Sequence, residues 1–159
     1  MKTRNALGAG TSVWELADFM RCEAPEGWLP DQLTFKRDLY DLKGAGARWV
    51  VSAYLRVGDD GVFVLSVHVL EDIDSPAHGV RRSAPRLAFV ERIKQRVARL
   101  GFFGLCAVDD HDGQCSGYFT RHVKDVGTLR GELSILAKLR LGQPARPRVA
   151  GRVAPRKSK

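Results

Sequence analysis

The sequence contains no apolar run of the roughly 18 residues that a membrane-spanning helix needs. It has only three cysteines in 159 residues, Cys22, Cys106 and Cys115, which are too few and too widely spaced for a disulfide framework. The first residues, MKTRNALGAGTS, carry positive charge but are not followed by the apolar stretch of a secretory signal. We therefore expect a protein without a membrane span, in a reducing, cytoplasmic compartment.

Motifs that are typical of enzymes are also missing. No serine lies in a GxSxG context, and no glycine-rich run has the spacing of a phosphate-binding loop. GAGAR at 44–48 precedes a predicted strand, so it lacks the helix N-terminus that binds phosphate. We predict no catalytic residue, no cofactor and no metal site, and an enzyme is the least favoured of the three functions that we consider.

The cluster DDHDG at 109–113 is the part of the sequence that most resembles a metal or catalytic site. Its three carboxylates and His111 are of the type that holds a hard divalent cation, and Cys115 and His122 follow nearby. The spacing does not match an EF-hand loop. Because Asp and Gly are also the residues of tight turns, and GDDG at 58–61 is similar, we favour a hydrated turn.

Positive charge is in excess, and it is concentrated at the C-terminal end. The chain has 26 Lys and Arg against 18 Asp and Glu, a net charge of +8. Six of these bases and no acid lie in the last 17 residues: Arg146, Arg148, Arg152, Arg156, Lys157 and Lys159. Removing these 6 from 26 leaves 20 bases against 18 acids in residues 1–142, a net of only +2. We predict a mobile N-terminus over 1–10, one domain over 11–142 and a disordered Arg/Pro-rich tail over 143–159.

The hydrophobic pattern of the domain predicts an α+β fold in which two antiparallel hairpins pack with helices. Helices are predicted over about 13–22, 31–43, 83–100 and 126–141. In the second of these, Phe35, Leu39 and Leu42 form the apolar stripe. The two hairpins are predicted over 48–70 and 102–123, where runs rich in Val, Tyr and Phe flank glycine-bearing turns. The expected order is therefore α-α-ββ-α-ββ-α, in a single compact domain.

The first hairpin is predicted to be apolar on both of its faces. A two-residue loop at 59–60 or 60–61 places Val64 and His68 on the same face as Trp49. In either register His68 is interpreted as a hydrogen-bonded core histidine. Since both faces are apolar, either the sheet is covered on both sides or one face receives a partner protein.

A second group of basic residues belongs to the third predicted helix and to the loop before it. Three recur at helical spacing and form a stripe beside the apolar one: Arg92, Arg96 and Arg99. Three more lie in the loop or in the first turn: Arg81, Arg82 and Arg86. Together with the tail, these side chains are suited to contact a phosphate backbone without reading bases. A solvated helix face is the alternative interpretation.

Two main functional hypotheses follow from the sequence. The first is a non-enzymatic nucleic-acid-associated accessory protein that contacts DNA or RNA phosphates through the basic tail and the helix stripe. The second is a protein-binding inhibitor, adaptor or chaperone module that uses an apolar hairpin face or the leucine-rich C-terminal helix. The tail suits nucleic acid or an acidic partner protein, and the apolar faces leave a homodimer open.

Overall fold

The computed structural model describes residues 27–31, 34–57, 63–74, 83–123, 129–142 and 145. They form one antiparallel six-stranded sheet of order β1-β2-β3-β4-β6-β5. The strands are β1 (Leu29–Asp31), β2 (Thr34–Gly44), β3 (Ala47–Val57), β4 (Phe63–Glu71), β5 (Phe103–Val108) and β6 (Cys115–Val123). The helices are α1 (Ala84–Ala98) and α2 (Leu129–Ser134), and a 3₁₀ helix (Ile135–Lys138) continues α2.

The predicted α-α-ββ-α-ββ-α order is wrong, because antiparallel sheet dominates and the segment predicted as a helix over 31–43 contains strand β2. β2 pairs with β3 along its length. A β-bulge between Asp38 and Tyr40 shifts the alternation of β2 by one residue. This shift breaks the two-residue period of the strand and gives its apolar residues the spacing of a helix, which explains the error.

The turn between β2 and β3 contains the glycines that suggested the end of a helix. Gly44 pairs with Ala47, so the loop consists of Ala45 and Gly46. Both loop residues have positive φ angles, 52° at Ala45 and 75° at Gly46. Positive φ at both positions is the signature of a type I′ turn, whose twist matches that of the flanking strands.

The hairpin of β3 and β4 is confirmed, but its predicted register is wrong by one residue. Val57 pairs with Phe63, which leaves the five residues 58–62 between the strands. Since side chains alternate between faces, this shift reverses the two faces of β4 relative to β3. His68 therefore lies on the face opposite to the predicted one. The β4 side chains that join the core are Phe63, Leu65, Val67 and Val69.

Both described helices pack on one face of the sheet, which we call the inner face; the opposite face is the outer face. α1 buries Val90, Ile93 and Val97 and packs on β5 and β6. Arg121 of β6 donates from Nε to Oε2 of Glu132 in α2 at 2.7 Å. Four leucines complete this side of the core: Leu129, Leu133, Leu136 and Leu139. The core thus lies between the sheet and the helices.

The remaining predicted elements divide into those that the structure contains and those outside the described residues. The helix predicted over 83–100 and the second hairpin are confirmed as α1 and as β5 with β6. The described part of the last predicted helix begins at Leu129, continues as a 3₁₀ helix after Ser134 and ends at Lys138, before the predicted end at 141. The helix predicted over 13–22 and the N-terminus over 1–10 lie outside the described residues. Of the tail only Ala145 is described, and its N–H donates to the Leu39 carbonyl at 2.8 Å.

Candidate functional site

The residues predicted to contact phosphate are only partly within the described residues. Arg92 and Arg96 are exposed on α1, and Arg99 is exposed directly after its last residue, Ala98. The guanidinium of Arg92 lies 5.6 Å from the centroid of the Phe89 ring, and Arg96 Nη1 donates to the Arg140 carbonyl at 3.0 Å. These three arginines form one exposed surface, which we call the basic stripe. The other predicted residues lie outside the described residues: Arg81, Arg82, Arg146, Arg148, Arg152, Arg156, Lys157 and Lys159.

Arg86 does not belong to the basic stripe, because it is buried in an ion pair. Its Nη1 lies 2.7 and 2.5 Å from the two carboxylate oxygens of Glu71, and both side chains are almost completely buried. Arg86 also donates to the Gly113 carbonyl at 3.1 Å, and Glu71 accepts the Cys115 N–H at 2.9 Å. The pair joins the end of β4, the first turn of α1 and the β5–β6 connection, so its role is structural.

Two acidic residues of the β5–β6 connection, Asp109 and Asp112, accept hydrogen bonds from the backbone of that connection. Oδ1 of Asp109 accepts the N–H groups of His111 and Asp112 at 2.7 and 3.3 Å, and Oδ1 of Asp112 accepts that of Gln114 at 2.9 Å. The bonds from His111 and Asp112 lower the pKa of the Asp109 carboxyl. Within the described residues, no group of three or more His, Cys, Asp and Glu side chains is arranged to hold a metal ion. The connection is built as a capped turn.

Cys106 and Cys115 are free thiols with raised pKa values. Burial, together with the nearby Glu91 carboxylate, raises the pKa of Cys106 to about 11. Burial also raises the pKa of Cys115. These thiols are protonated near neutral pH, whereas a nucleophilic cysteine needs a lowered pKa. Their strand partners are Gly117 and Val108, so the two cysteines do not face each other.

The outer face carries a groove of about 280 Å³ that crosses β2, β3, β4 and β6. Its walls are mainly aromatic and aliphatic, and small side chains form part of its floor. The lining residues are Lys36, Val50, Ser52, Tyr54, His68, Val69, Leu70, Ser116, Gly117 and Tyr118. A groove with apolar walls and a few polar groups is the usual form of a binding site.

Three rings form a row in this groove. The centroid of His68 lies 4.3 Å from that of Tyr54 and 4.5 Å from that of Tyr118, which meets it edge-on. His68 Nε2 is also 3.3 Å from Ser66 Oγ. Burial, and then the positive charge of Lys36, lower the pKa of His68 to about 4. The imidazole is therefore neutral near pH 7, and the row presents apolar ring surface.

Exposed apolar side chains continue from the groove to the edge of the sheet at β5. We call four of them the outer apolar patch: Leu70, Phe103, Leu105 and Tyr118, which are 47, 69, 77 and 42% exposed. The register places Leu105 beside Tyr118 and Tyr118 beside His68, so groove and patch are continuous. Sequence reasoning missed Phe103 and Leu105. The uncharged run FFGLCAV at 102–108 is the sequence feature that could have indicated them. Which of its side chains are exposed, however, depends on the order of the strands in the sheet.

None of the helices in the described part of the chain has the length and apolar character to cross a lipid bilayer. No protein-family model matches the chain, and the comparisons with curated proteins and with solved structures found no match. A function must therefore be inferred from two surfaces, the outer face of the sheet and the basic stripe.

Proposed function

We propose that this protein is a non-enzymatic binding module for another protein, and that the outer face of the sheet is its binding surface. The observation that carries the proposal is the outer apolar patch, whose four large side chains are 42–77% exposed. Contiguous exposed apolar surface of this kind marks interaction sites on folded proteins. Tyrosine is also enriched at interfaces, because it combines a large apolar surface with a polar end.

The composition of the groove indicates which kind of partner side chain it accepts. Val50, Leu70 and the tyrosines offer apolar surface, and the neutral His68 adds no charge. Among the described residues that line the groove, Lys36 is the one with a charge, and its ammonium lies 3.4 Å from the Asp38 carboxylate. A partner that inserts an aliphatic or aromatic side chain would thus bury apolar area without removing an unpaired charge from water.

A peptide selected from a displayed random library against the full-length protein provides a defined probe of this surface. We expect its affinity, measured by calorimetry, to fall at least about tenfold in Tyr118→Lys, because the substitution places a charge inside the apolar surface. Ile73→Lys is the matched control, since Ile73 is 63% exposed but follows the end of β4, and should keep the affinity. Failure to select a peptide, or equal affinity of both variants, would exclude the outer face.

We propose nucleic-acid phosphate contact as a second candidate function, supported by the basic stripe. Arg92 and Arg96 are exposed on α1 and Arg99 directly follows it, and the C-terminal residues add six more bases. Arginine side chains that neutralise phosphates release counterions and bind with a steep dependence on salt. The near-neutral charge of residues 1–142 gives this candidate less support than the apolar patch gives the first.

A salt series with labelled duplex and single-stranded oligonucleotides tests the second candidate. Replacing Arg92, Arg96 and Arg99 together by Gln should reduce the slope of log affinity against log salt by about 3, roughly one per phosphate contact. Lys43→Gln is the control, because Lys43 is exposed on β2 and not on α1. Binding that is absent near physiological salt, or that is unchanged in the triple variant, would remove the basic stripe from consideration.

A further inference from the structure

We infer that the chain forms a twofold homodimer through antiparallel pairing of β5 with β5 of a second copy. β5 is the last strand of the sheet, and among the described residues it pairs with β6 alone. Its sequence, FGLCAV, contains no charged residue and no proline. Edge strands of natural proteins normally carry such residues, or bulges, to prevent pairing with other chains. β5 has none of these protections, so its edge is suited to pairing.

The side chains of β5 are complementary to those of a second β5. A twofold axis at Leu105 places this residue opposite its own copy and Phe103 opposite Ala107 of the copy. All three side chains lie on the outer face and are exposed, Phe103 and Leu105 by 69 and 77%. Each outer cross-strand pair in this register is therefore apolar, and such pairs stabilise a sheet. Because the outer side chains of β5 are complementary to those of another β5, we assign a second copy of the chain as the partner.

The position of α1 favours the same arrangement. α1 packs on both β5 and β6, and neighbouring strands are about 4.8 Å apart, so the extended sheet would place the two α1 axes roughly 10 Å apart. This is close to the usual distance of about 8–10 Å between packed helices.

The dimer shares Phe103 and Leu105 with the outer apolar patch but leaves the groove free. It uses the edge of β5, whereas the groove is lined by residues of β2, β3, β4 and β6. Pairing of two β5 strands would join two outer faces into one surface with two grooves. The groove residue Tyr118 remains on this surface and lies on β6, so its substitution tests peptide binding without changing the edge strand.

Sedimentation of the full-length chain over a range of concentrations tests the dimer. We expect a dimer, and Leu105→Lys should raise its dissociation constant at least about tenfold, because two like charges would face each other at the axis. Leu70→Lys is the matched control, since Leu70 is 47% exposed on the same face but lies on β4, away from the edge. A monomer at all concentrations, or a dimer that Leu105→Lys leaves unchanged, would overturn the inference.

Oxidative cross-linking tests the register. Leu105→Cys should form an intermolecular disulfide, because directly opposed residues on antiparallel strands have Cα atoms about 4.5–5.5 Å apart. Phe103→Cys keeps the same native cysteines but lies far from its own copy in this register, so it should not cross-link. Equal cross-linking of both variants contradicts the pairing about Leu105. Tyr118→Lys, which should weaken peptide binding, should leave the dimer unchanged because Tyr118 lies on β6 and not on the edge strand, so a failure of one proposal is distinguishable from a failure of the other.

Discussion

Glu71 and Arg86 are the charged residues among the buried polar side chains of the described part of the chain, with exposures of 0 and 2%. Removing either partner would leave the other charge buried and uncompensated, whereas the two charges compensate each other while the pair is intact. Because the pair also holds the backbone at Gly113 and Cys115, it connects three elements. Arg86, which the sequence pattern groups with the exposed basic residues, is therefore a part of the core.

We expect Arg86→Met to lower the free energy of unfolding by about 3–5 kcal/mol, because it leaves the Glu71 carboxylate buried in the core without its cationic partner. Urea denaturation measures this loss. Arg92→Met, at an exposed position of the same helix, should change stability by no more than about 0.5 kcal/mol. The double variant Glu71→Leu with Arg86→Met should recover much of the loss, since no charge is then left buried; an equally unstable double variant would contradict this account.

His68 gives the stability of the fold a dependence on pH. Its pKa is about 4 in the folded chain and 6.5 in the unfolded chain, so between these values the unfolded state binds more protons. The contribution of His68 to the free energy of unfolding should therefore be constant above pH 6.5 and should fall as the pH decreases from 6.5 to about 4. His68→Gln should flatten this part of the curve of urea midpoint against pH. An NMR titration of His68 with an ordinary pKa would refute the assignment.

At the scale of elements, β2 shows how a strand can carry the pattern of a helix. Its bulge between Asp38 and Tyr40 changes the two-residue period, and Leu39, Tyr40 and Leu42 are all buried as a result. The adjacent turn then forces Ala45 to a φ of 52°, a left-handed conformation that is costly for a residue with a Cβ atom. The chain accepts this cost because the type I′ turn sets the register of β2 with β3.

Ala45→Asn should therefore stabilise the protein by about 0.5–1 kcal/mol, since Asn tolerates the left-handed conformation and Asn-Gly is the preferred sequence of this turn. Thermal or urea unfolding checks the sign and the size. Ala88→Asn, at an exposed position in α1, is the control and should lower stability by a few tenths of a kcal/mol through helix propensity. A loss of stability in Ala45→Asn would mean that the turn does not have this geometry.

At the scale of the whole molecule, the two candidate binding surfaces lie on opposite sides. The outer apolar patch faces away from the helices, and the basic stripe lies on the exposed side of α1, which packs on the inner face. The sheet and the core separate them. A partner protein and a nucleic acid could therefore be bound at the same time without competing for one surface.

This separation predicts that the two proposed activities respond to different substitutions. Tyr118→Lys should weaken binding of the selected peptide and leave oligonucleotide affinity unchanged, because position 118 is on the other side of the sheet from α1. The triple replacement of Arg92, Arg96 and Arg99 by Gln should have the reverse effect. Calorimetry and a fluorescence titration on the same preparations measure both. Loss of both activities in either variant would indicate one shared surface.

The elements that could be predicted from the sequence are those whose signals are local. α1 combines Pro85 in its first turn with an apolar residue at every third or fourth position, and β5 and β6 flank the glycine-bearing turn at 109–113. The capping hydrogen bonds of Asp109 agree with the turn interpretation. The uneven distribution of charge is likewise a property of the sequence alone.

Other features depend on contacts between distant parts of the chain. β2 is a strand because β3 pairs with it across a bulge, and His68 faces outward because a five-residue connection shifts β4 by one position. Arg86 is buried because Glu71, fifteen residues earlier, meets it in the core. Propensity and periodicity describe a segment by itself, whereas each of these outcomes is selected by the partner that the segment pairs with.

The composition, the position of the charges and the local turn and helix signals were thus determined by the sequence itself, because each depends on residues a few positions apart. Only the tertiary structure decided where the functional surfaces lie. It places β5 at the edge of the sheet and both described helices on the inner face, so Phe103, Leu105 and Tyr118 are exposed together. The order of strands and the choice of face come from long-range pairing and burial of the whole core, which no local pattern contains.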